Sequence, residues 1–339
     1  MSEFVIENEK LVKYNGKESS VTVPDGVRSI GWYAFSGCES LVSVTLPDSI
    51  SEIGRNAFSG CVSLEVINMK EGVKTVGYSA FSGCRGIREL ILPNSVEIID
   101  KDAFSGCVSL ERMVIPGRVR YLGWSAFSEC KGLEEVILPD SICEMGSYAF
   151  YHCESLKSIR IPSGVEKIGN NTFLGCLSLE KVILPSAISE IGEYAFYGCS
   201  SLSDINLPTE GVKVGANAFF GCHGIADGDG FVIANGILYN YYGKAENVTV
   251  PKGVTFIGGE SFMNCTFLKS VTLPDGIEII GDKAFSGCEN LESINIPDSF
   301  IAGGWMVFRG CERVTVSLTR GTASEKFARD SGVRYEQGE

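Results

Sequence analysis

The chain has 339 residues, 44% of them hydrophobic, with 29 basic against 42 acidic side chains and a net charge of −13. That apolar content excludes a disordered chain, the length exceeds one typical compact core, and the acid excess argues against wrapping nucleic acid or adhering to anionic lipid by charge. No uncharged apolar run reaches the ~18 residues of a membrane span, and only two histidines are available for imidazole catalysis or metal binding.

The chain opens Met1-Ser2-Glu3-Phe4, without the basic-then-apolar pattern of an export signal, so the chain as written is expected in the cytoplasm. Residues 4–17 read as a β-hairpin. From residue 21 onward the sequence repeats itself. Cysteines fall at 38, 61, 84, 107, 130, 153, 176, 199 and 222, then at 265, 288 and 311, a step of 23 broken once. Self-similarity at this period is the mark of stacked repeats. Nine units occupy 21–227 and three occupy 248–316. Between them, Phe231 through Lys244 matches Phe4 through Lys17 at an offset of 227, so 228–247 is expected to be a second hairpin. Residues 1–20 and 317–339 are the expected caps. In the latter, Thr322-Ala323-Ser324-Glu325 reads as a capping box, Phe327 and Ala328 give a helix an apolar face, and Gly332 stops it.

Residues 44–66 show why a unit has its shape. Val44 and Leu46 alternate with Ser43 and Thr45, the period of a strand with one buried face. Proline then ends the strand, and all 11 prolines occupy this column, with Lys70 the sole replacement. Ile50, Ile53 and Gly54 follow. The Gly54 column is Gly in 11 of 12 units and Asp100 in the other, which suggests a left-handed backbone position. Ala57, Phe58, Cys61 and Leu64 are spaced as one apolar stripe, which predicts one or two turns of helix. Eight side chains of the unit thus point inward: Val44, Leu46, Ile50, Ile53, Ala57, Phe58, Cys61 and Leu64. Only stacking on like neighbours can bury them, giving continuous rows of Phe and Cys.

This pattern, Ile-Pro-x-x-Val-x-x-Ile-Gly-x-x-Ala-Phe-x-x-Cys-x-x-Leu, resembles the BspA-like class of bacterial leucine-rich repeats over almost the whole chain. The resemblance implies an α/β solenoid, a right-handed superhelix with a parallel β-sheet on its concave face. It also implies a surface or secreted role in adhesion to a host or matrix protein, although the ligand itself does not carry over, because ligand choice lives in exposed residues that vary between members.

Thirteen cysteines contain no CxxC pair for zinc or redox chemistry. Cysteines in one row lie ~4.8 Å apart with parallel Cβ vectors, unsuited to disulfides. Twelve are expected as reduced, buried fillers and weak S–H donors. Cys143 falls in the polar column of Ser51, Lys74, Glu97, Arg120 and Glu166. It is expected to be an exposed thiol of no chemical consequence, the alternative being a reactive thiol activated by Arg120 of the neighbouring unit. Asp227-Gly228-Asp229-Gly230 reads as a turn rather than a calcium loop, and His152 and His223 sit in separate turns. No phosphate-binding loop or nucleophile elbow is present, so neither an enzyme nor a cofactor site is expected.

The expected function is recognition of a protein or peptide partner on the concave sheet. One outward column is polar at its ends and apolar in the middle, at Ile91, Val114, Ile137 and Ile183, interrupted by Arg160. The column beside it carries Glu89, Arg112, Glu135, Ser158 and Lys181, whose alternating signs should pair. Together these form the candidate binding patch, an apolar stretch flanked by charge. The alternative is a glycan-binding adhesin that uses Trp32, Trp124, Trp305, Tyr33, Tyr148 and Tyr194 on the outer side.

Overall fold

A computed structural model describes residues 3–207, 211–318 and 323–337. It contains two compact units, one of residues 1–206 with 213–215, the other of 207–212 with 216–339. Both are parallel-strand solenoids in which each coil contributes two short strands. We call the face of the strands preceding the proline column the first face, and that of the two-residue strands preceding the glycine column the second face.

In the first unit, the hairpin of Phe4–Glu7 and Lys10–Tyr14 begins an eight-stranded second-face sheet that ends at Glu144–Met145. Lys167–Ile168, Glu190–Ile191 and Lys213–Val214 continue that face as a separate three-stranded sheet. On the first face, Ser20–Thr22, Ser43–Thr45 and Val66–Asn68 form one sheet. Glu89–Leu90, Arg112–Val114, Glu135–Ile137, Ser158–Arg160, Lys181–Ile183 and Asp204–Ile205 form a six-stranded second one. In the other unit the hairpin of Phe231–Ala234 and Ile237–Tyr241 leads into Phe256–Ile257, Ile279–Ile280 and Ala302–Gly303. Its first face runs Asn247–Thr249, Ser270–Thr272, Ser293–Asn295, Thr315–Leu318 and Arg334–Gln337. Coil-to-coil register is one repeat, as in Val44 beside Val21 and Ile67. The two hairpins share register and bulge, with Phe4 facing Tyr14 as Phe231 faces Tyr241.

All eight inward side chains of residues 44–66 are buried, as the periodicity requires. From Phe35 to Phe196 the rings stack with centroids 4.9–5.6 Å apart and planes within 13°. Phe262, Phe285 and Phe308 repeat this. At the fronts, Tyr14 and Tyr241 lie against Phe35 and Phe262, so each hairpin closes the ring row with a tyrosine. At the end, helix Ala323–Asp330 places Phe327 against Phe300 and Phe308. The expected cap helix is therefore present, while Thr322 of its capping box lies outside the described residues.

Two local expectations are corrected. The segment after the glycine column is not helical; residues 55–60 are a run of turns, and each coil repeats it. An α-helix would direct its N–H groups along its own axis, whereas here they reach the next coil. Residues two and six positions after the glycine column have positive φ, as at Asn56 (52°) and Gly60 (72°). The intervening turns send three N–H groups outward: Asn56 to the Tyr78 carbonyl at 2.8 Å, Phe58 to Ala80 at 2.8 Å and Gly60 to Ser82 at 2.8 Å. The same triplet recurs from coil to coil, so the turns form a third hydrogen-bonded ladder beside the two sheets.

The second correction concerns the Gly54 column itself. Its glycines do not have positive φ. They are required by close approach: a Cβ on Gly54 would lie 2.6 Å from the Ile30 carbonyl oxygen, and one on Gly77 2.8 Å from that of Ile53. The left-handed conformation belongs to the column just before cysteine, where Glu129, His152 and Asn264 replace glycine at φ 60°, 53° and 61°.

The two glycine columns should therefore respond differently to one substitution. Gly83, whose Cβ would meet nothing closer than 3.9 Å, should tolerate Gly83→Asn with a loss below about 1 kcal/mol, since Asn accepts this φ. Gly77→Asn should cost about 1–3 kcal/mol through overpacking against the coil before it. Denaturant midpoints of the two variants check this, and equal losses would contradict the assignment.

Candidate functional site

The candidate patch lies on the six-stranded first-face sheet. Parallel register sets Glu89 beside Arg112, Arg112 beside Glu135, Glu135 beside Ser158, and Ser158 beside Lys181. In the outer column, Val114 stands beside Ile137 and Arg160 beside Ile183. Strand alternation turns Leu90, Met113, Val136, Ile159 and Val182 into the core, which leaves the named residues facing outward. Val114, Ile137 and Ile183 are 42%, 42% and 43% exposed, and Ile91 is 77% exposed.

Ile91 differs from its neighbours because the strand stops at Leu90 and the first-face sheet is interrupted between Val66–Asn68 and Glu89–Leu90. A cavity of about 560 Å³ opens there, lined by Val66, Asn68, Met69, Arg88, Glu89 and Ile91 among others. The sequence gives no sign of this break beyond Lys70, the one non-proline in its column, which belongs to the coil on its near side.

Within the patch only Arg112 and Glu135 pair with each other among the described residues, Arg112 Nε lying 2.6 Å from Glu135 Oε2 as alternation of sign implies; its other cations pair with carboxylates outside it. Lys181 bridges Asp204, its register neighbour one coil on. Arg160 reaches diagonally to Asp140 at 2.9 Å, and that hydrogen bond holds the Asp140 carboxyl below its usual range. Arg88–Glu111 (3.0 Å) and Lys157–Glu134 (2.6 Å) form a parallel row. Asp204, Glu111 and Glu134 were not singled out from sequence, although a step of one repeat from a named or neighbouring cation points to each of them. Exposed pairs of this kind contribute ~0–1 kcal/mol each, so they set the charge pattern rather than the stability.

At the edge of this sheet, the Asn206 side chain accepts from the Leu184 N–H (2.7 Å) and donates to its carbonyl (2.9 Å). Asn295 does the same to Leu273. The amide side chain supplies a rung where the outer column turns polar, so the apolar stretch has a defined end.

All thirteen cysteines are free thiols. Their row has a specific hydrogen-bonding role: Cys61 Sγ donates to the Phe35 carbonyl at 3.0 Å, Cys84 to Phe58 at 3.1 Å and Cys107 to Phe81 at 3.2 Å, a pattern kept along the row. Burial pushes the Cys61 and Cys107 thiols from 9.0 up to about 12. Cys38, at the front of the row, is only half-buried, a correction to the expectation of twelve buried thiols. Cys143 is exposed as expected, and its Sγ donates to the Arg120 carbonyl at 3.4 Å.

The remaining candidates resolve into structure. Asp227 accepts the N–H groups of Asp229 (3.0 Å) and Phe231 (2.8 Å), a turn entering the hairpin. His152 packs edge-on to Tyr151, and His223 lies against Tyr242. Among the described residues, no group of three His, Cys, Asp or Glu side chains could hold a metal ion. Of the outer aromatics, Trp32 and Trp124 each have a lysine ammonium over the ring, Lys10 at 5.8 Å and Lys101 at 5.6 Å. One ring face of each thus has a cation near it, while Trp32 and Trp124 remain 64% and 52% exposed.

A profile of the BspA-type leucine-rich repeat region, present in six copies, matches residues 9–134, 97–226 and 232–324. The chain belongs to the BspA-type leucine-rich repeat family. Among solved structures, a leucine-rich repeat protein from Bacteroides ovatus is 28% identical, covers 100% of this chain and 99% of its own, and superposes with a TM-score of 0.70. A leucine-rich cell surface protein from Faecalibacterium prausnitzii is 25% identical over 99% of this chain and 93% of its own, with a TM-score of 0.49. A leucine-rich repeat protein from Eubacterium ventriosum is 20% identical over 89% and 88%, at 0.51. No functionally curated protein matches the chain. Leucine-rich repeat proteins are generally non-enzymatic binding scaffolds, and no helix among the described residues is long and apolar enough to cross a membrane.

The raised thiols fix a sign for the pH dependence of stability. A group whose folded pKa exceeds its unfolded value stabilises fully below the unfolded pKa and loses that contribution as pH rises toward the folded one. With 9.0 and about 12 as the limits, stability should be level to about pH 8.5. It should then fall by up to about 1.4 kcal/mol per buried thiol per pH unit. Denaturation midpoints at neutral and alkaline pH measure this; a flat profile to about pH 10.5 contradicts it. Under native conditions a thiol reagent should label Cys143 at once and Cys38 slowly, the others reacting only after unfolding.

Proposed function

We propose that the chain is a binding scaffold that takes a protein or peptide partner across the six-stranded first face, the face the family resemblance makes concave. Ile91, Val114, Ile137 and Ile183 supply apolar contact. Arg160, Glu89, Arg112, Glu135 and Lys181 set specificity through the charge pattern around them. The observation that carries this reading is the exposure of four β-branched apolar side chains along one column that is Thr or Asn in its outer coils. Strand propensity is served equally by Thr, so it does not account for Ile in the middle coils. Burying such a side chain fully contributes roughly 1.5–3 kcal/mol.

The partner can be fixed by a photo-crosslinker placed next to the column and then measured against variants. Ile137→Asp should weaken binding about tenfold or more, equivalent to about 1.4 kcal/mol. Its unfolding midpoint should stay nearly unchanged, as expected of a surface position. Unaltered affinity of Ile137→Asp and Ile183→Asp for that partner would remove the patch from consideration.

A further inference from the structure

The turn ladder has an open end in the second unit. In the coil before last, Lys283, Phe285 and Gly287 donate to the carbonyls of Trp305, Val307 and Arg309 at 2.8, 3.0 and 2.7 Å. Met306, Phe308 and Gly310 occupy the same columns one repeat later, with φ of 55° at Met306 and 80° at Gly310. Among the described residues, none of these three N–H groups finds an acceptor. The carbonyls of Ile301 and Gly303 are the counterparts of Glu278 and Ile280, which accept from the following coil, and among the described residues no following coil donates to them. The first face continues into Arg334–Gln337, but Ala302–Gly303 is the last strand of the second face. The cap helix thus covers the core without matching the polar edge beside it.

That edge borders a cavity of about 590 Å³ between the last coil and the cap helix. Phe300, Trp305, Phe308 and Phe327 line it, together with Arg309, Lys326 and Asp330. Among the described residues Arg309 and Lys326 make no ion pair, the Arg309 guanidinium donating only to Met306 Sδ at 3.7 Å, whereas cations on many other coils do pair. Trp305 is 68% exposed although most of the other large aromatics of this unit are packed away. Elsewhere in the unit an unmatched group of this ladder has been capped. Gly221, in the column of Gly310, donates its N–H to Tyr242 Oη of the hairpin at 2.6 Å. Met306 is half-buried and Gly310 exposed, so in the free chain these donors are left to water, and the natural complement of three such donors at alternate residues is a peptide with three alternate carbonyls.

We propose that this edge is a docking slot for a peptide segment of a partner protein, independent of the patch on the first unit. The segment adopts the turn conformation of a further coil. It presents alternate carbonyls to Met306, Phe308 and Gly310, an apolar side chain to the wall of Phe300, Trp305 and Phe327, and a carboxylate to Arg309 and Lys326. A second copy of this chain is a poor occupant. The corresponding edge of its first coil is covered by the hairpin, whose Tyr14 N–H already takes the Ala34 carbonyl at 2.8 Å.

The probe is a synthetic peptide of residues 281–291 carrying Cys288→Ser, because the carbonyls of 282, 284 and 286 already serve this ladder inside the chain. In the full-length protein alone, amide exchange at Met306, Phe308 and Gly310 should be at least about 100-fold faster than at Lys283, Phe285 and Gly287. Adding the peptide should shift those three amide resonances and slow their exchange by about tenfold or more, while a peptide of reversed sequence leaves them unmoved. Joint replacement Arg309→Glu and Lys326→Glu should weaken the effect about fivefold or more, and Ile137→Asp should leave it unchanged. Protection of the three amides in the dilute free protein would overturn the proposal, as would no response to excess peptide or an equal response to the reversed one. Protection that grows with protein concentration would assign the slot to a second copy and overturn it as well.

Discussion

The structure depends on hydrogen bonds that leave each coil for the next. A coil of 23 residues is too short to hold a core of its own, and its polar backbone must be matched by neighbours or by water. Two sheets match the strands. The third ladder, made by turns with positive φ at Asn56 and Gly60 and their counterparts, matches the rest. With backbone groups satisfied on three sides, the interior is filled almost wholly by rows of Phe, Ile, Leu and Ala, with Thr172 and Ser261 as buried polar exceptions in the alanine column. The thiol row completes the match: the Phe35 carbonyl, placed inside the column, takes the Cys61 S–H from the following coil. Cysteine is small enough for the gap and still a donor, which alanine is not.

The same bonding explains where side chains can vary. Inward columns are fixed by packing and the close-approach glycines by the coil before them. Free choice is left to outward columns on the two faces and to the residues of the turns. In the first unit that freedom has produced paired charges across most of the six-stranded sheet, with Val114, Ile137 and Ile183 standing among them. A surface that is neutral pair by pair does not steer every passing charge. On the proposed binding role, selectivity would come from shape and from competition for Arg160 or Lys181 against Asp140 or Asp204.

Much of this was legible in the sequence because the repeat fixes translation. Once Val44 is known to be inward, so is its counterpart in every coil, and the rows of Phe and Cys follow. The turn segment was misread because the spacing of Ala57, Cys61 and Leu64 fits one face of a helix and one side of a coil equally well. The discriminating signal was present in Asn56, Asp102, Asn171 and Asn217, residues that accept positive φ and are poor helix formers, all in one column. The glycine column was read by its commonest cause when packing was the actual one, a distinction that needs the neighbouring carbonyl in view. Within the patch, the bridge from Lys181 to Asp204 was readable by counting one repeat. The diagonal from Arg160 to Asp140 was not, and neither was the interruption that leaves Ile91 so far out, since neither follows from a step of one repeat.

Each coil bonds only to the coils beside it, so inserting or deleting one 23-residue segment of a gene disturbs two junctions and nothing beyond them. Length is therefore modular: a chain with one coil more or fewer meets no new folding problem, because the two junctions are of a kind it already makes. The capping hairpin occurs twice with the same register and bulge, so a block of coils can begin wherever that hairpin does.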